Sequence, residues 1–300
     1  MRLLLIANMR ARSATPRRLD VITRALASGF DVRVVRTERP GHASELAREA
    51  DADAVAVLGG DGTVNEAVNG LVGTDRPLAI LPGGGANVFA RALGIPEDPV
   101  EATSHLLERR EMGAKRVPLG RADDRYFTFS CGFGLDAAIV RRVEQRQRLK
   151  KAGGQMYYLW SALSTAVGRF ERRRASIRVR WGSDLEHVRD GLHTAVCQKA
   201  DPYTYLGERA MRLCPQVELY LGLDMLGLHT MRLPFVVRTV ASAFSTGRHI
   251  RSRQVLYLHD EDRIELVARR PLPAQLDGEY VGERGSLLLE AVPDALAVLA

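Results

Sequence analysis

The segment from Ala54 to Leu71, with the sequence AVAVLGGDGTVNEAVNGL, constrains the fold more than any other part of the chain. Its apolar start predicts a short buried strand, and glycines then interrupt the pattern around Asp61. From Thr63 onward, apolar residues return at helical spacing. Such a strand, turn and helix N-terminus can bind an anion, because glycine permits close approach and the first helical amides point at the ligand. Since Asp61 would repel a phosphate, its presence suggests a bridging magnesium ion. The alternative is an ordinary turn in which Asp61 or Thr63 caps the helix.

A second predicted strand, Leu78–Leu81, also ends in a glycine turn, at residues 83–85, and a helix is predicted to begin near Ala86. Neighbouring parallel strands place such turns at the same carboxyl edge of a sheet, which is where open α/β folds bind ligands. Neither turn matches the phosphate loop of P-loop proteins or the dinucleotide-binding fingerprint. The pair of turns therefore favours a phosphate site of another kind.

Up to residue 118 the chain alternates apolar strands with helical segments, which predicts an α/β domain with a mostly parallel sheet. The strands are predicted at Leu3–Ala7, Asp31–Arg36, Ala54–Leu58 and Leu78–Leu81, and the helices at Pro16–Ser28, Ala43–Ala50, Thr63–Val72, Asn87–Leu93 and Val100–Glu108. From residue 119 to 290, strand-like stretches between turns predict an antiparallel domain, interrupted by a helical region at Asp136–Phe170. The apolar tail, residues 291–300, is expected to pack back on the first domain.

The cysteines Cys131, Cys197 and Cys214 are far apart and lack CxxC spacing. They fit a reducing cytosol and argue against a disulfide framework or a zinc site. The apolar start is too short for the hydrophobic region of a signal peptide. The stretch Gly154–Phe170 is interrupted by polar residues and falls short of the ~20 apolar residues of a spanning helix. We therefore expect a cytoplasmic protein.

The formal net charge is +7, carried mainly by arginines in the runs Arg141–Lys151, Arg169–Arg174 and Gly247–Arg253. Solvated helix faces are the first explanation for such runs. Attraction to an anionic membrane surface is the second, because each basic residue near charged lipid adds about 1 kcal/mol. Nucleic acid is not expected as a partner, since aromatic residues make up only 6% of the chain and no stacking motif accompanies the arginines.

Carboxylates outside the glycine turns are the other candidates for chemistry. Asp277 and Glu279 flank a glycine in the sequence QLDGE, which by itself reads as a polar β-turn. Beside two phosphate-binding turns, a carboxylate there could accept a proton from a substrate hydroxyl. Asp136 is predicted to cap a helix, with a substrate-facing role as the alternative. Asp224 is predicted to lie in a turn, with metal binding as the alternative.

The sequences GGDGTVNEAVNGL, LPGGGANVFARALGIP, GFGLDAAIV and LDGE, in this order along nearly the whole chain, resemble the diacylglycerol kinase catalytic-domain family. These bacterial lipid kinases are related to sphingosine kinases. The resemblance implies an N-terminal α/β nucleotide domain and a C-terminal β-sandwich. It also implies transfer of the γ-phosphate of ATP to a lipid hydroxyl with the help of Mg²⁺.

The resemblance also implies a role for each matching position. Glu279 would accept the hydroxyl proton with Asp277 in support, and Asp61 would take part in catalysis and bind the metal, with Asp224 at an accessory metal site. The nucleotide would contact Asn8, Thr37, Gly59, Gly60, Asp61, Gly62, Thr63, Val64, Asn65, Gly84 and Gly85.

This chain departs from the family pattern at several of these places. Met9 and Arg10 follow Asn8 where a proline and a serine-glycine turn are usual. Gly85 replaces a threonine, Val88 an aspartate and Leu221 an aspartate of the accessory metal site.

Three alternatives stay open at this point. NAD kinases carry a similar GGDGT turn, a sphingoid base could replace diacylglycerol as the acceptor, and a catalytically silent protein could bind nucleotide or lipid without turnover. For the leading hypothesis we expect peripheral association with the membrane and leave homodimer formation open.

Overall fold

The computed structural model describes residues 1–145 and 177–300. These residues divide into two compact units, one formed by Met1–Leu119 with Val292–Ala300 and the other by Gly120–Ala291. The predicted helix at Gly154–Phe170, the arginine run Arg169–Arg174 and most of the run Arg141–Lys151 lie outside the described residues.

The first unit contains a parallel sheet in the order β2-β1-β3-β4. Every residue of β3 and β4 is buried, which explains why both read as unbroken apolar runs rather than alternating ones. Leu5 of β1 lies in register with Val34 of β2 on one side and Ala56 of β3 on the other. The strands are β1 (Arg2–Ala7), β2 (Asp31–Arg36), β3 (Ala54–Gly59) and β4 (Leu78–Pro82).

Helices connect these strands as the apolar spacing predicted. In the first helix Leu19, Ile22 and Leu26 are buried at helical intervals, and Thr15 caps the N-terminus by accepting a hydrogen bond from the amide of Arg18. The helices of this unit are α1 (Pro16–Leu26), α2 (His42–Arg48), α3 (Asp61–Leu71), α4 (Val88–Ala92) and α5 (Pro99–Arg109). Their ends differ from the predicted ones by a few residues, most notably for α3, which begins at Asp61 rather than Thr63.

The C-terminal residues belong to the first unit. Val298 pairs with Leu78 of β4 in parallel register, and the amide of Leu299 donates to the carbonyl of Leu78 over 2.9 Å. Leu296 and Val298 are fully buried, so this apolar tail is part of a core.

The second unit is built on antiparallel strand pairs in the order β14-β13-β10-β7-β15-β16, with β8 and β9 branching from β15. Its core contains Phe127, Phe133, Met225, Leu266 and Leu289. Its elements, including strands that extend past its limits, are β5 (Lys115–Ala122), β6 (Arg125–Phe127), β7 (Ser130–Phe133), α6 (Leu135–Glu144), β8 (Ile177–Trp181), β9 (His187–Leu192), β10 (Thr194–Gln198), β11 (Thr204–Leu206), β12 (Arg209–Met211), β13 (Leu223–Leu228), α7 (Leu233–Ala243), a 3-10 helix (Arg248–Arg251), β14 (Val255–Glu261), β15 (Arg263–Leu276) and β16 (Glu279–Val298).

The mostly parallel first part and the antiparallel second part confirm the predicted fold class. Two local predictions are wrong. Asp136 does not cap a helix, because α6 begins at Leu135 and Gly134 is its N-cap. Asp224 does not lie in a turn, because it is the second residue of β13 and is buried. Among residues 1–145 and 177–300, no helix is long and apolar enough to cross a membrane.

Candidate active site

The two glycine turns of the first unit are in direct contact. They follow β3 and β4, which are neighbours, and the amide of Gly83 donates to the carbonyl of Gly59 over 2.7 Å. A Cβ atom on Gly84 would lie 2.7 Å from the Cα of Gly60, and one on Gly60 would lie 3.1 Å from the Cα of Gly84. Side chains at these two positions would therefore separate the turns.

The first turn of α3 has open space beside the main chain of Gly62. Gly60 is the N-cap and no side chain caps the helix, so the alternative in which Asp61 or Thr63 is the cap is wrong. Gly62 is exposed, and a Cβ atom added there would meet nothing within 4 Å. Since the first amides of a helix have no acceptor within it, this open first turn can accommodate an anion close to the main chain.

Asn8 and Thr37 follow the other two strands of the sheet at the same edge. The side chain of Asn8 donates to the hydroxyl of Thr63 over 2.8 Å, which ties the end of β1 to the first turn of α3. The amide of Thr37 donates to the carbonyl of Ala7 over 3.0 Å. Asn8, Thr37 and both glycine turns thus share the carboxyl edge of one sheet, which is the ligand-binding edge of open α/β folds.

Val64 and Asn65 have buried side chains, and the carbonyl and side-chain oxygens of Asn65 accept hydrogen bonds from Asn69. These two side chains therefore serve the packing of α3. Gly85, in contrast, faces open space, since a Cβ atom there would meet nothing within 4 Å.

Two residues of this edge were missed by the sequence reasoning. The carboxylate of Glu66 accepts hydrogen bonds from the amides of Gly41 and Ala43 at 2.8 and 3.1 Å, so that α3 holds the N-terminus of α2. The buried side chain of Asn87 accepts from the amide of Gly84 over 2.9 Å, and its backbone is left-handed with φ 47°. Asparagine adopts the left-handed conformation more readily than most residues, so Asn87 shortly after the second glycine turn could have indicated a turn at this position.

In the second unit, Asp277 and Gly278 form the two-residue turn between β15 and β16. Both have positive φ, 48° and 79°, and Leu276 pairs directly with Glu279. These values match a type I′ hairpin turn, for which Asp-Gly is a preferred sequence. The reading of this stretch as a β-turn is therefore correct.

The carboxylate of Asp277 is buried and fixes a loop. It accepts hydrogen bonds from the amides of Thr128, Phe129 and Ser130 at 2.6, 2.9 and 3.0 Å, and from the hydroxyl of Thr128 at 2.8 Å. Burial raises the pKa of Asp277, and these hydrogen bonds act in the opposite direction. The Asp277 side chain thus fixes the hairpin turn to the β6–β7 loop. Its two carboxylate oxygens already accept these four hydrogen bonds.

Glu279 is the first residue after this turn, and its side chain is 48% exposed. It forms an ion pair with Arg125 over 3.2 Å. An exposed pair of this kind is weak, because water screens both charges. Glu279 therefore combines a rigidly placed main chain with an accessible carboxylate.

A chain of hydrogen bonds leads from this turn to Asp136. The amide of Gly278 donates to Oε1 of the fully buried Gln275 over 2.8 Å, and Nε2 of Gln275 donates to the carboxylate of Asp136 over 2.7 Å. The other oxygen of Asp136 accepts a hydrogen bond from the hydroxyl of Tyr203. Burial raises the pKa of Asp136, opposed by these two hydrogen bonds. Asp136 is thus a structural anchor for the turn that carries Glu279.

Asp224 does not have the surroundings of a metal ligand. Its carboxylate accepts hydrogen bonds from the hydroxyl of Tyr257, from Nδ1 of His259 and from the amide of Asp260. In the described part of the chain, no group of three His, Cys, Asp or Glu side chains could hold a metal ion. The structure therefore does not support the accessory metal site.

Lys199 is a buried cation that interacts electrostatically with Asp224. The fully buried Lys199 donates from Nζ to the carbonyls of Leu219 and Leu221 at 2.5 and 2.7 Å. Burial lowers the pKa of Lys199 to about 8, although Cys197, Asp224 and Asp260 act to raise it. The turn that contains Leu221 is thus stabilised by an ammonium group of the chain itself.

Comparison with known proteins agrees with this arrangement. Residues 2–123 match the family model of the diacylglycerol kinase catalytic domain, and residues 130–300 match that of the YegS C-terminal NAD kinase beta sandwich-like domain. A diacylglycerol kinase of Bacillus subtilis is 28% identical over 262 residues, which cover 85% of this chain and 81% of that protein. A protein of Chromohalobacter salexigens, described as "Probable lipid kinase YegS-like", is 37% identical over 48% of this chain and 47% of its own.

A solved structure shows the same fold. The crystal structure of a Bacillus anthracis protein assigned as a diacylglycerol kinase superposes with a TM-score of 0.79 at 22% identity, over 99% of this chain and 94% of that one. Both domain models and the fold therefore agree with the resemblance found in the glycine turns and the LDGE sequence. The chain belongs to the family of lipid kinases that join a diacylglycerol kinase catalytic domain to a YegS-type C-terminal domain.

Proposed function

We propose that the protein transfers the γ-phosphate of ATP to the hydroxyl of diacylglycerol, forming phosphatidic acid, at the cytoplasmic face of the membrane. The observation that carries this proposal is the contact between the two glycine turns beside the open first turn of α3. Main-chain amides at such a place bind phosphate without requiring a lysine.

In the first unit, residues of both glycine turns would bind the phosphates of ATP. Asp61, the partly exposed first residue of α3, would hold Mg²⁺. One carboxylate fits this ion, which commonly takes its other ligands from phosphate oxygens and water. When bound, Mg²⁺ would supply positive charge that stabilises the phosphates during transfer.

In the second unit, Glu279 would accept the proton of the lipid hydroxyl. The hydroxyl oxygen would form a bond to the γ-phosphorus as the bond from that phosphorus to the bridging oxygen breaks, and ADP would leave. Asp277 and Gln275 act through the position of Glu279 and not on the reacting atoms. Catalysis of this type depends on positioning and charge stabilisation, which a fixed hairpin turn provides.

The test is an in vitro screen with labelled ATP against diacylglycerol, a sphingoid base, a polyprenol, a glycolipid and NAD. We expect label in phosphatidic acid when magnesium is present and none when it is chelated. Label in a phosphorylated sphingoid base or in NADP would instead establish one of the alternative kinases. Absence of ATP turnover with every acceptor would favour the catalytically silent protein. The presence of both Asp61 and the accessible carboxylate of Glu279 supports the active enzyme.

A further inference from the structure

The helix α7 buries one face and exposes the other. Thr239 and Ala243 are buried, and Phe235 packs against a core cluster that includes Met231 and Val255. The opposite face, composed of Pro234, Val237, Arg238 and Ala241, is exposed, with Val237 at 50%. Pro234, Val237 and Ala241 follow one another at intervals of three and four residues, with Arg238 next to Val237, so they form one continuous stripe along the helix. This stripe contains no acidic residue.

The surroundings of α7 are strongly basic. No aspartate or glutamate occurs between Asp224 and Asp260, whereas five arginines do. All five are exposed, and none forms an ion pair with a carboxylate of the described residues. Several other arginines of the same unit are paired, as Arg178 is with Asp190 and Arg212 is with Asp201. The five are Arg232, Arg238, Arg248, Arg251 and Arg253.

The first turn of α7 combines these charges with an apolar surface. Arg232, Pro234, Phe235 and Arg238 line a shallow depression. The guanidinium of Arg238 lies 5.8 Å from the ring centre of Phe235. Guanidinium groups bind phosphate through several donors at once, and the apolar lining between them suits the first carbons of a lipid chain. The depression therefore fits a phospholipid headgroup better than a free anion in water.

We propose that this surface, α7 with the five arginines, docks on a bilayer of anionic phospholipid. Arg232 and Arg238 bind headgroup phosphates, Val237 enters the boundary between headgroups and acyl chains, and the remaining arginines add long-range attraction. This proposal rests on the proposed function, because a kinase whose acceptor lipid is in the membrane has to bind the membrane surface. Nucleic acid is a poorer match, because the aromatic side chains in the described stretch 225–259, Phe235, Phe244 and Tyr257, are all partly buried rather than exposed for stacking on bases.

The test is sedimentation with phosphatidylcholine vesicles, with and without phosphatidylglycerol, at low and high salt. We expect the wild type to bind only the anionic vesicles and to be released by salt. The triple variant R232E/R238E/R248E should bind on the order of 100-fold more weakly, from about 1 kcal/mol for each lost arginine. Val237→Ser should weaken binding to the anionic vesicles several-fold at low salt, because the side chain contributes apolar burial.

The matched control is R17E/R189E/R209E, which changes the net charge equally at exposed arginines outside this surface. It should bind the anionic vesicles nearly as well as the wild type. Equal loss in both triple variants would reduce the effect to net charge and overturn the proposal. So would binding by R232E/R238E/R248E at wild-type strength, or a wild type that ignores phosphatidylglycerol.

Activity on a short-chain diacylglycerol dissolved without vesicles separates this proposal from the proposed function. We expect R232E/R238E/R248E to retain that activity, because α7 contains none of the residues assigned to catalysis. If neither the wild type nor the variant phosphorylates the lipid, but vesicle binding follows the expected pattern, the kinase assignment is wrong and the docking surface is supported.

Discussion

Thr128 donates two hydrogen bonds to one carboxylate oxygen of Asp277, from its amide at 2.6 Å and its hydroxyl at 2.8 Å. We therefore expect Asp277→Asn to destabilise the protein by about 1–3 kcal/mol. The side-chain NH₂ of the asparagine would replace one acceptor oxygen and face hydrogen-bond donors of the loop. Urea denaturation measures the change. Asp294→Asn is the control, since Asp294 is also left-handed but exposed. A denaturation midpoint shared by both variants and the wild type would contradict this role.

The contact between the glycine turns predicts different outcomes for adjacent glycines. Gly84→Ala should cost about 1–3 kcal/mol, because its Cβ would lie 2.7 Å from the main chain of Gly60. Gly85→Ala should leave the melting temperature nearly unchanged, since a Cβ there meets open space. Thermal unfolding followed by circular dichroism compares them. If Gly85→Ala were the more damaging of the two, the arrangement of the turns described above would be wrong.

Glu279 is predicted to act on the substrate hydroxyl and not on ATP. We expect Glu279→Gln to reduce turnover on the order of 100-fold or more, while the affinity for ATP changes little. Steady-state kinetics and a nucleotide-binding titration provide the two measurements. The control is Glu283→Gln, an exposed glutamate of the same strand. Turnover by Glu279→Gln close to the wild-type value would remove Glu279 from the role of base.

Gln275 is predicted to position Glu279 through the turn. In Gln275→Glu the new carboxylate can still accept from Gly278, but it lies beside the carboxylate of Asp136. Two adjacent carboxylates resist joint ionisation. The ratio of the variant's kcat to the wild type's should therefore fall as pH rises, whereas Tyr203→Phe should shift it less because it adds no charge. A ratio independent of pH would show that Gln275 has only a packing role.

Lys199 predicts a pH dependence of stability. Its folded pKa of about 8 lies below its ordinary value, so above pH 8 the unfolded state binds more protons. The cost of burying the charge is complete below about pH 8 and is relieved as the pH rises towards ~10.4. Relative to Lys199→Met, the free energy of unfolding of the wild type should thus rise by up to about 1.4 kcal/mol per pH unit between about pH 8 and ~10.4. Urea denaturation between neutral pH and about pH 10 tests this, with the exposed Lys115→Met as control. A constant difference between wild type and Lys199→Met would exclude the linkage.

Sequence patterns predicted the first unit well because its strands are continuous apolar runs with glycine stops. Leu58 and Leu81 end such runs, and a parallel sheet then brings the following turns together. Sequence patterns predicted the strand positions of the second unit less well. Its stretch QVELYLGL reads as a strand, yet β13 begins only at Leu223, after the exposed Tyr220 and Leu221. The turn that replaces the predicted strand is held by Lys199, which donates to the carbonyls of Leu219 and Leu221 from about 20 residues earlier in the sequence.

Residue roles were harder to predict than elements. The carboxylates of Asp136, Asp224 and Asp277 resemble reactive groups in the sequence, but in the structure each is used by several hydrogen-bond donors. These donors come from remote segments, so no local spacing reveals them. Glu66 is the opposite case, a residue whose role in the structure was not predicted. It lies in the middle of α3, and nothing in the neighbouring sequence indicates that its carboxylate caps the N-terminus of α2.

The pairing of Val298 with Leu78 makes the first unit discontinuous in sequence. During synthesis, residues 292–300, which supply the pairing partner of Leu78, emerge from the ribosome after the second unit. A fragment cut at Leu119 would expose the edge of β4 and lose the buried side chains of Leu296 and Val298. Isolation of the first unit therefore calls for a fusion that links residue 119 to residue 292 rather than a truncation.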